Sequence, residues 1–116
     1  MPPFESPDLQ PLSCAVATVD GVARVTASGE IDMASAPLLG DALSLAEALA
    51  EGMILDLSGV EFIDSCGALV LLETARRVRA RGEPFRLDGA SDVVTRLLHL
   101  MGAADMFGLT SPSFSQ

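Results

Sequence analysis

The sequence predicts an α/β domain in which a mixed β-sheet begins with a hairpin and carries helices packed against it. Three observations lead there. Alternating apolar and polar runs flank Asp20-Gly21. Segments with apolar residues at helical spacing begin near Leu38, Leu69 and Val94. Short, nearly unbroken apolar stretches lie between them. An Asp-Gly pair between two alternating runs signals an antiparallel hairpin. Strands that alternate with helices imply right-handed crossovers and parallel neighbours, so the sheet is mixed.

The elements follow in order. Residues Met1 to Pro11 carry four prolines, so residues 1–12 are expected to form a flexible arm. The domain is expected over residues 13–110, with a frayed tail over 111–116. Cys14 to Val19 and Val22 to Ser28 are the hairpin strands, and Gly29-Glu30-Ile31-Asp32 leaves the second. Ser35 is placed to cap a helix, with Pro37 tolerated in its first turn. Leu38, Leu39, Ala42, Leu43, Ala46 and Leu49 carry that helix to Gly52. Met53 to Leu57 is almost wholly apolar, which suits a strand covered on both faces. Ser58-Gly59 is expected to turn the chain. A second helix runs from the Ser65 region to Gly82, with Arg76, Arg77, Arg79 and Arg81 opposing the negative end of its dipole. Pro84 to Asp88 is a further strand. Ser91 caps a third helix that Gly102 ends, and Met106 to Leu109 is expected as a last short strand.

Composition narrows the function. A chain of 116 residues suits one domain. Its 49% hydrophobic and 20% charged residues make it globular, and the absence of Trp and Tyr leaves an aliphatic core. The formal net charge of -9 disfavours nucleic acid and anionic lipid surfaces and favours a protein partner with a basic or mixed surface. Two cysteines, Cys14 and Cys66, are too few for a disulfide framework. With no signal-peptide pattern at Met1-Pro2-Pro3 and no apolar run long enough to span a bilayer, the expected setting is the cytoplasm.

The chemistry concentrates in Phe62-Ile63-Asp64-Ser65-Cys66-Gly67. A nucleophile elbow needs a glycine two residues before the serine, and Ile63 stands there. The only histidine, His99, lies among leucines of the third helix and reads as a surface or core-edge residue rather than a base. The chain is therefore not read as an enzyme. Ser65 reads as a helix N-cap, beside unpaired N–H groups at the positive end of a dipole. That is also a place that stabilises an added phosphate. Cys66 reads as a small residue filling a tight junction in preference to a redox sensor. Asp32, Asp56 and Asp64 fall at or near strand ends, where Mg²⁺ is conceivable. Turn and cap roles are the simpler reading, favoured for Asp56, and no metal is assigned. Neither G-x-x-x-x-G-K nor G-x-G-x-x-G occurs, so no ATP cradle or other cofactor is expected.

Gly29-Glu30-Ile31-Asp32, Ala36-Pro37-Leu38, Ile54-Leu55-Asp56-Leu57-Ser58-Gly59-Val60 and Phe62 to Gly67 together resemble a STAS domain, and within that family a bacterial anti-sigma factor antagonist. The resemblance covers about Ser13 to Phe107. It implies a partner-switching protein. Unphosphorylated, such a protein binds an anti-sigma factor that is also a serine kinase, which frees a sigma factor. The kinase brings its own ATP and phosphorylates the serine after the aspartate, here Ser65, and a serine phosphatase resets the switch. The same match puts Asp32, Asp64, Ser65, Cys66 and Gly67 at the contact surface, with Ser58 and Gly59 shaping a loop beneath. Cys66 stands where the family often has Ser or Thr, and Leu69 where it often has glycine. The alternative is a constitutive STAS scaffold or transport-assembly subunit in which Ser65 is only a cap.

Overall fold

A computed structural model describes residues 10–109. The elements are β1 (Ser13–Val19), β2 (Val22–Ile31), α1 (Ala36–Leu49), β3 (Met53–Ile63), α2 (Ser65–Ala80), β4 (Phe85–Ala90), α3 (Asp92–Leu100) and a 3-10 turn (Ala104–Phe107). The sheet order is β1-β2-β3-β4, antiparallel between β1 and β2 and parallel thereafter. This is the mixed sheet with an N-terminal hairpin and packed helices that the sequence predicts.

The hairpin forms because Asp20 (φ 52°) and Gly21 (φ 81°) both take left-handed backbone, as a two-residue loop matched to strand twist requires. The parallel strands then march in one direction without reversing. Right-handed crossovers in such a sheet put α1 and α2 on the same face. That face carries Val25, Ala27, Leu55 and Leu57, packed against Leu39, Leu43, Leu71 and Leu98 of the helices. Along β2 every odd-numbered residue from Ala23 to Ile31 is buried, while the even-numbered ones are half-buried or exposed. The opposite face is polar, and on it Arg24 bridges Asp56 (3.1 Å) and Asp88 (2.7 Å) across three strands.

Several elements differ from expectation. β2 does not end before Gly29 but continues to Ile31, and β3 does not stop at Leu57 but runs to Ile63. The expected turn at Ser58-Gly59 is strand. Thr26 pairs with Asp56 and Ser28 with Gly59, then Gly29 with Val60 and Glu30 with Phe62. Each step gives β3 one residue more than β2, so Ser58-Gly59 sits in the first of two bulges. Continued pairing with β2 outweighs the turn preference of a Ser-Gly pair. The strand expected over Met106 to Leu109 is instead the 3-10 turn. It sets the Phe107 ring 5.6 Å from that of Phe85, edge to face at 67°, a favoured aromatic arrangement.

The helix ends are closed largely by backbone. Gly82 (φ 75°) and Gly102 (φ 70°) close α2 and α3. Each donates to the carbonyl three residues earlier, and the following N–H reaches back five, the Schellman pattern. At the far end from its first residue, α2 is tied to α1 by Glu47, which accepts from Arg77 (2.9 Å) and Arg81 (3.1 Å). Of the arm expected over residues 1–12, residues 1–9 lie outside the described residues, as does the tail over 111–116. Within residues 10–12, Leu12 is buried and the Gln10 carbonyl accepts from the Glu30 N–H at 3.0 Å. No helix among the described residues is long and apolar enough to cross a membrane.

Candidate functional site

The parallel strands β2 and β3 end side by side, with Ile31 paired to Ile63. The next residue on each is an aspartate, so Asp32 and Asp64 emerge together at one sheet edge, about 5 Å apart in strand spacing. Ligand-binding surfaces of open α/β sheets form at such carboxyl ends. The Asp64 N–H donates to the Ile31 carbonyl at 3.0 Å, which locks the two ends.

Asp64 is the N-cap of α2. Its backbone is extended (φ -105°, ψ -178°) and its Oδ1 accepts the Gly67 N–H at 3.0 Å. Ser65, expected in that role, is the first helical residue. The physical reason is local: either residue can cap, but the strand brings Asp64 to the junction in the extended conformation that a cap needs. Ser65 is therefore exposed, and among the described residues nothing hydrogen-bonds its hydroxyl. It still lies in the first turn, at the positive end of the α2 dipole.

Asp32 is held by a local ring of bonds. Its Oδ1 accepts the Ser35 N–H at 2.9 Å, and its own N–H donates to Ser35 Oγ at 2.9 Å. The Ser35 hydroxyl lies 3.0 Å from the Glu30 carbonyl. Ser35 thus occupies the N-cap position of α1, yet its side chain bonds back to the loop and not to the helix. Ser91 likewise precedes α3 without a side-chain cap bond. The Ser35 N–H, and then its hydroxyl, hold the Asp32 carboxyl below the usual carboxylate range. Asp32 is accordingly an ionised, oriented group at neutral pH.

Cys66 does not fill a tight junction. It is exposed and lines a groove of 520 Å³ between α1 and α2, together with Met33, Pro37, Leu69 and Glu73. The tight junction is at Gly67. It is buried, and a Cβ there would run into the Ile31 side chain.

Ser58 and Gly59 are not brought to this edge. The Ser58 hydroxyl donates to Asp56 Oδ1 at 2.7 Å on the polar sheet face, and Gly59 lets β3 approach Ser28. Ser58 lies level with the Thr26–Ser28 stretch of β2, about five β2 residues short of the Asp32–Asp64 edge, about 16 Å. Asp56, also placed near a strand end by sequence, sits mid-strand. Ser58 first, then Arg24, holds its carboxyl below the usual range against partial burial. Asp32, Asp56 and Asp64 therefore do not converge, and among the described residues no group of three or more His, Cys, Asp or Glu could hold a metal ion. His99 lies half-buried in α3, and no hydrogen bond links it to Ser65 or Cys66 among the described residues.

Sequence reasoning missed two apolar residues beside the edge. Met33 is 74% exposed in the Asp32–Ser35 turn, and Phe62 is exposed next to Ile63. Their signal is an apolar residue set out of phase with the buried positions on either side. Leu69, exposed one turn along α2, shares the Cys66 groove with Met33 and Glu73, whereas Phe62 pairs with Glu30 and so falls on the sheet face away from the helices.

Comparison with known proteins gives consistent likenesses. The STAS domain family matches residues 13–116. The anti-sigma-F factor antagonist RsfB of Mycobacterium tuberculosis is 33% identical over 103 residues, spanning 86% of this chain and 82% of its own. The anti-sigma-B factor antagonist of Bacillus subtilis is 34% identical over 91 residues, 78% of this chain and 83% of its own. The crystal structure of an anti-sigma factor antagonist from Mycobacterium paratuberculosis superposes with a TM-score of 0.77 at 31% identity, covering 94% of this chain and 92% of that one.

Proposed function

The chain belongs to the STAS domain family, and from that premise we propose that it is an anti-sigma factor antagonist switched by phosphorylation of Ser65. Unphosphorylated, it binds an anti-sigma factor that is a serine kinase, and the bound sigma factor is released. Its relatives are named antagonists of anti-sigma factors, which supports the general role. The observation that carries the switch is the division of labour at the α2 terminus. Asp64 caps the helix, so the Ser65 hydroxyl is exposed and uncommitted.

The geometry accounts for how a phosphate acts there. A phosphoserine carries about -1.5 to -2 charge at neutral pH. The described arginines lie elsewhere: Arg24 and Arg86 on the sheet, Arg76, Arg77 and Arg79 in the C-terminal half of α2 with Arg81 just past its end, and Arg96 in α3. The added charge instead joins Asp32 and Asp64 at the strand ends. A partner surface that docks on Met33 and Leu69 then meets a doubly charged group where it had met a hydroxyl, and desolvating that group opposes binding. Asp32, Asp64, Ser65 and Cys66 form the contact edge in this reading. Gly67 allows α2 to seat on Ile31, and Ser58 and Gly59 contribute to the sheet alone. The chain supplies no catalytic group: the kinase brings ATP, and a separate serine phosphatase restores the hydroxyl.

The test is a pull-down from host extract with wild type and Ser65→Asp as parallel baits, read by mass spectrometry. An ATP-binding serine kinase should come down with wild type and be lost with Ser65→Asp. Identical partners on both baits would overturn the switch and leave a constitutive scaffold.

A further inference from the structure

On the side of the domain away from α2, α1 and the edge strand β1 form an apolar flank that nothing in the described chain covers. Leu38, Ala42, Leu45 and Leu49 recur at i, i+4, i+7 and i+11, one stripe of a helix. Its leucines are 48%, 51% and 57% exposed. At about 100° per residue, Leu39, Leu43 and Ala46 point to the sheet and Gly40 and Ser44 to the α2 groove, so the stripe points past the β1 edge. Beneath it, Cys14 and Val16 pack on the core yet remain only half-buried. β1 itself is uncharged and free of proline from Ser13 to Val19. It is a sheet edge without the usual devices that prevent strand addition.

We infer that this flank is the interface of a homodimer in which two β1 strands pair antiparallel and two α1 stripes pack together above them. Two features select a second copy as the occupant. The first is charge. The chain carries -9, yet neither β1 nor the stripe contains an ionised residue, so two copies meet there without the repulsion found elsewhere on the surface. The second is self-complementarity, which a twofold interface demands. A twofold axis at Val16 sets Cys14 opposite Thr18 and Ala15 opposite Ala17. Each pair joins residues of the same sheet face, so the helices of both copies lie on one side and the stripes meet. The result is a continuous eight-stranded sheet. The edge bearing Ser65 lies across α1 on the α2 side and stays open.

Sedimentation equilibrium of the full 116-residue chain tests this. The monomer mass is 12.0 kDa. Wild type should show a concentration-dependent shift towards twice that value. Leu45→Glu and Leu45→Lys, each at an exposed position, should keep the wild-type circular dichroism spectrum and sediment as monomers. An equimolar mixture of the two should regain the double mass through opposite charges across the axis. Leu69→Glu, on the α2 side, should dimerise like wild type. A wild-type chain that stays at 12.0 kDa at its highest soluble concentration overturns the inference, whether residues 1–9 or a different protein covers the flank. So does a dimer that Leu45→Glu leaves intact. None of these outcomes bears on Ser65, whose pull-down reads separately.

Discussion

Replacing Asp64 with alanine should lower stability by an amount set by a single hydrogen bond. Asp64 Oδ1 accepts the Gly67 N–H at 3.0 Å, and this is the side-chain cap of a helix of 16 residues. Removing an Asp cap costs about 1 kcal/mol, with a span of about 0.5–2. For a domain near 100 residues, 1 kcal/mol corresponds to a fall in Tm of about 4–8 °C. Thermal unfolding followed by far-UV circular dichroism at neutral pH reads this directly. Asp64→Asn keeps an acceptor of equal capping quality and loses only the charge at the positive end of the dipole, so its fall should be smaller. Ser65→Ala removes an exposed hydroxyl with no described partner, and should stay within about 0.5 kcal/mol of wild type. The reasoning is refuted if Ser65→Ala costs as much as Asp64→Ala. Ser65 would then be the cap, and its hydroxyl would not be free in the folded protein.

Two further outcomes follow from the packing around the site. In Gly67→Ala the new methyl meets the fully buried Ile31 side chain. Overpacking of about 1–3 kcal/mol should outweigh the gain of about 1 kcal/mol in helix propensity, so the urea midpoint falls; a rise would show that Ile31 can yield. The second outcome concerns Glu47. Burial pushes its carboxyl up, but hydrogen bonds from Arg77 and Arg81 more than reverse this and leave it below its ordinary value. A carboxyl depressed on folding contributes stability that is present above its unfolded pKa of about 4.3 and lost as pH falls through the folded value. Wild type should therefore lose more stability than Glu47→Gln in urea titrations taken from neutral pH to about pH 3. Parallel curves would show that the Arg77 and Arg81 contacts add nothing.

The elements legible in the sequence were those set by a local rule. Asp20-Gly21 admits the left-handed backbone of a two-residue hairpin loop, and Gly82 and Gly102 supply positive φ where helices close. Elements that depend on distant partners were not legible. Ser58-Gly59 has the composition of a turn, and only pairing with Ser28 on another strand keeps it extended. Met106 and Phe107 have strand-like character, but the edge-to-face contact of Phe107 with Phe85 favours a tight turn. At the site, an Asp-Ser pair offers two good caps in succession. Which one caps depends on where β3 stops, and two bulges decide that. Asp32 and Asp64 were recognisable as strand-end residues, and their closeness follows once β2 and β3 are parallel neighbours. Met33 and Phe62 were hidden because exposure of an apolar residue is a property of the assembled surface.

All the helices that cross over between parallel strands lie on one face of the sheet, and this divides the sequence into two sets of positions under different selection. Along β2, odd positions must fit the helix packed over them, α1 and at Ile31 also α2, so acceptable residues are few and their changes must be coordinated. Even positions such as Thr26 and Ser28 answer mainly to water and to their cross-strand neighbours. Drift can run through the second set while the first stays still. Homologues of this chain should then share a nearly constant every-other-residue signature down the strands, interleaved with one that has lost all memory of common descent.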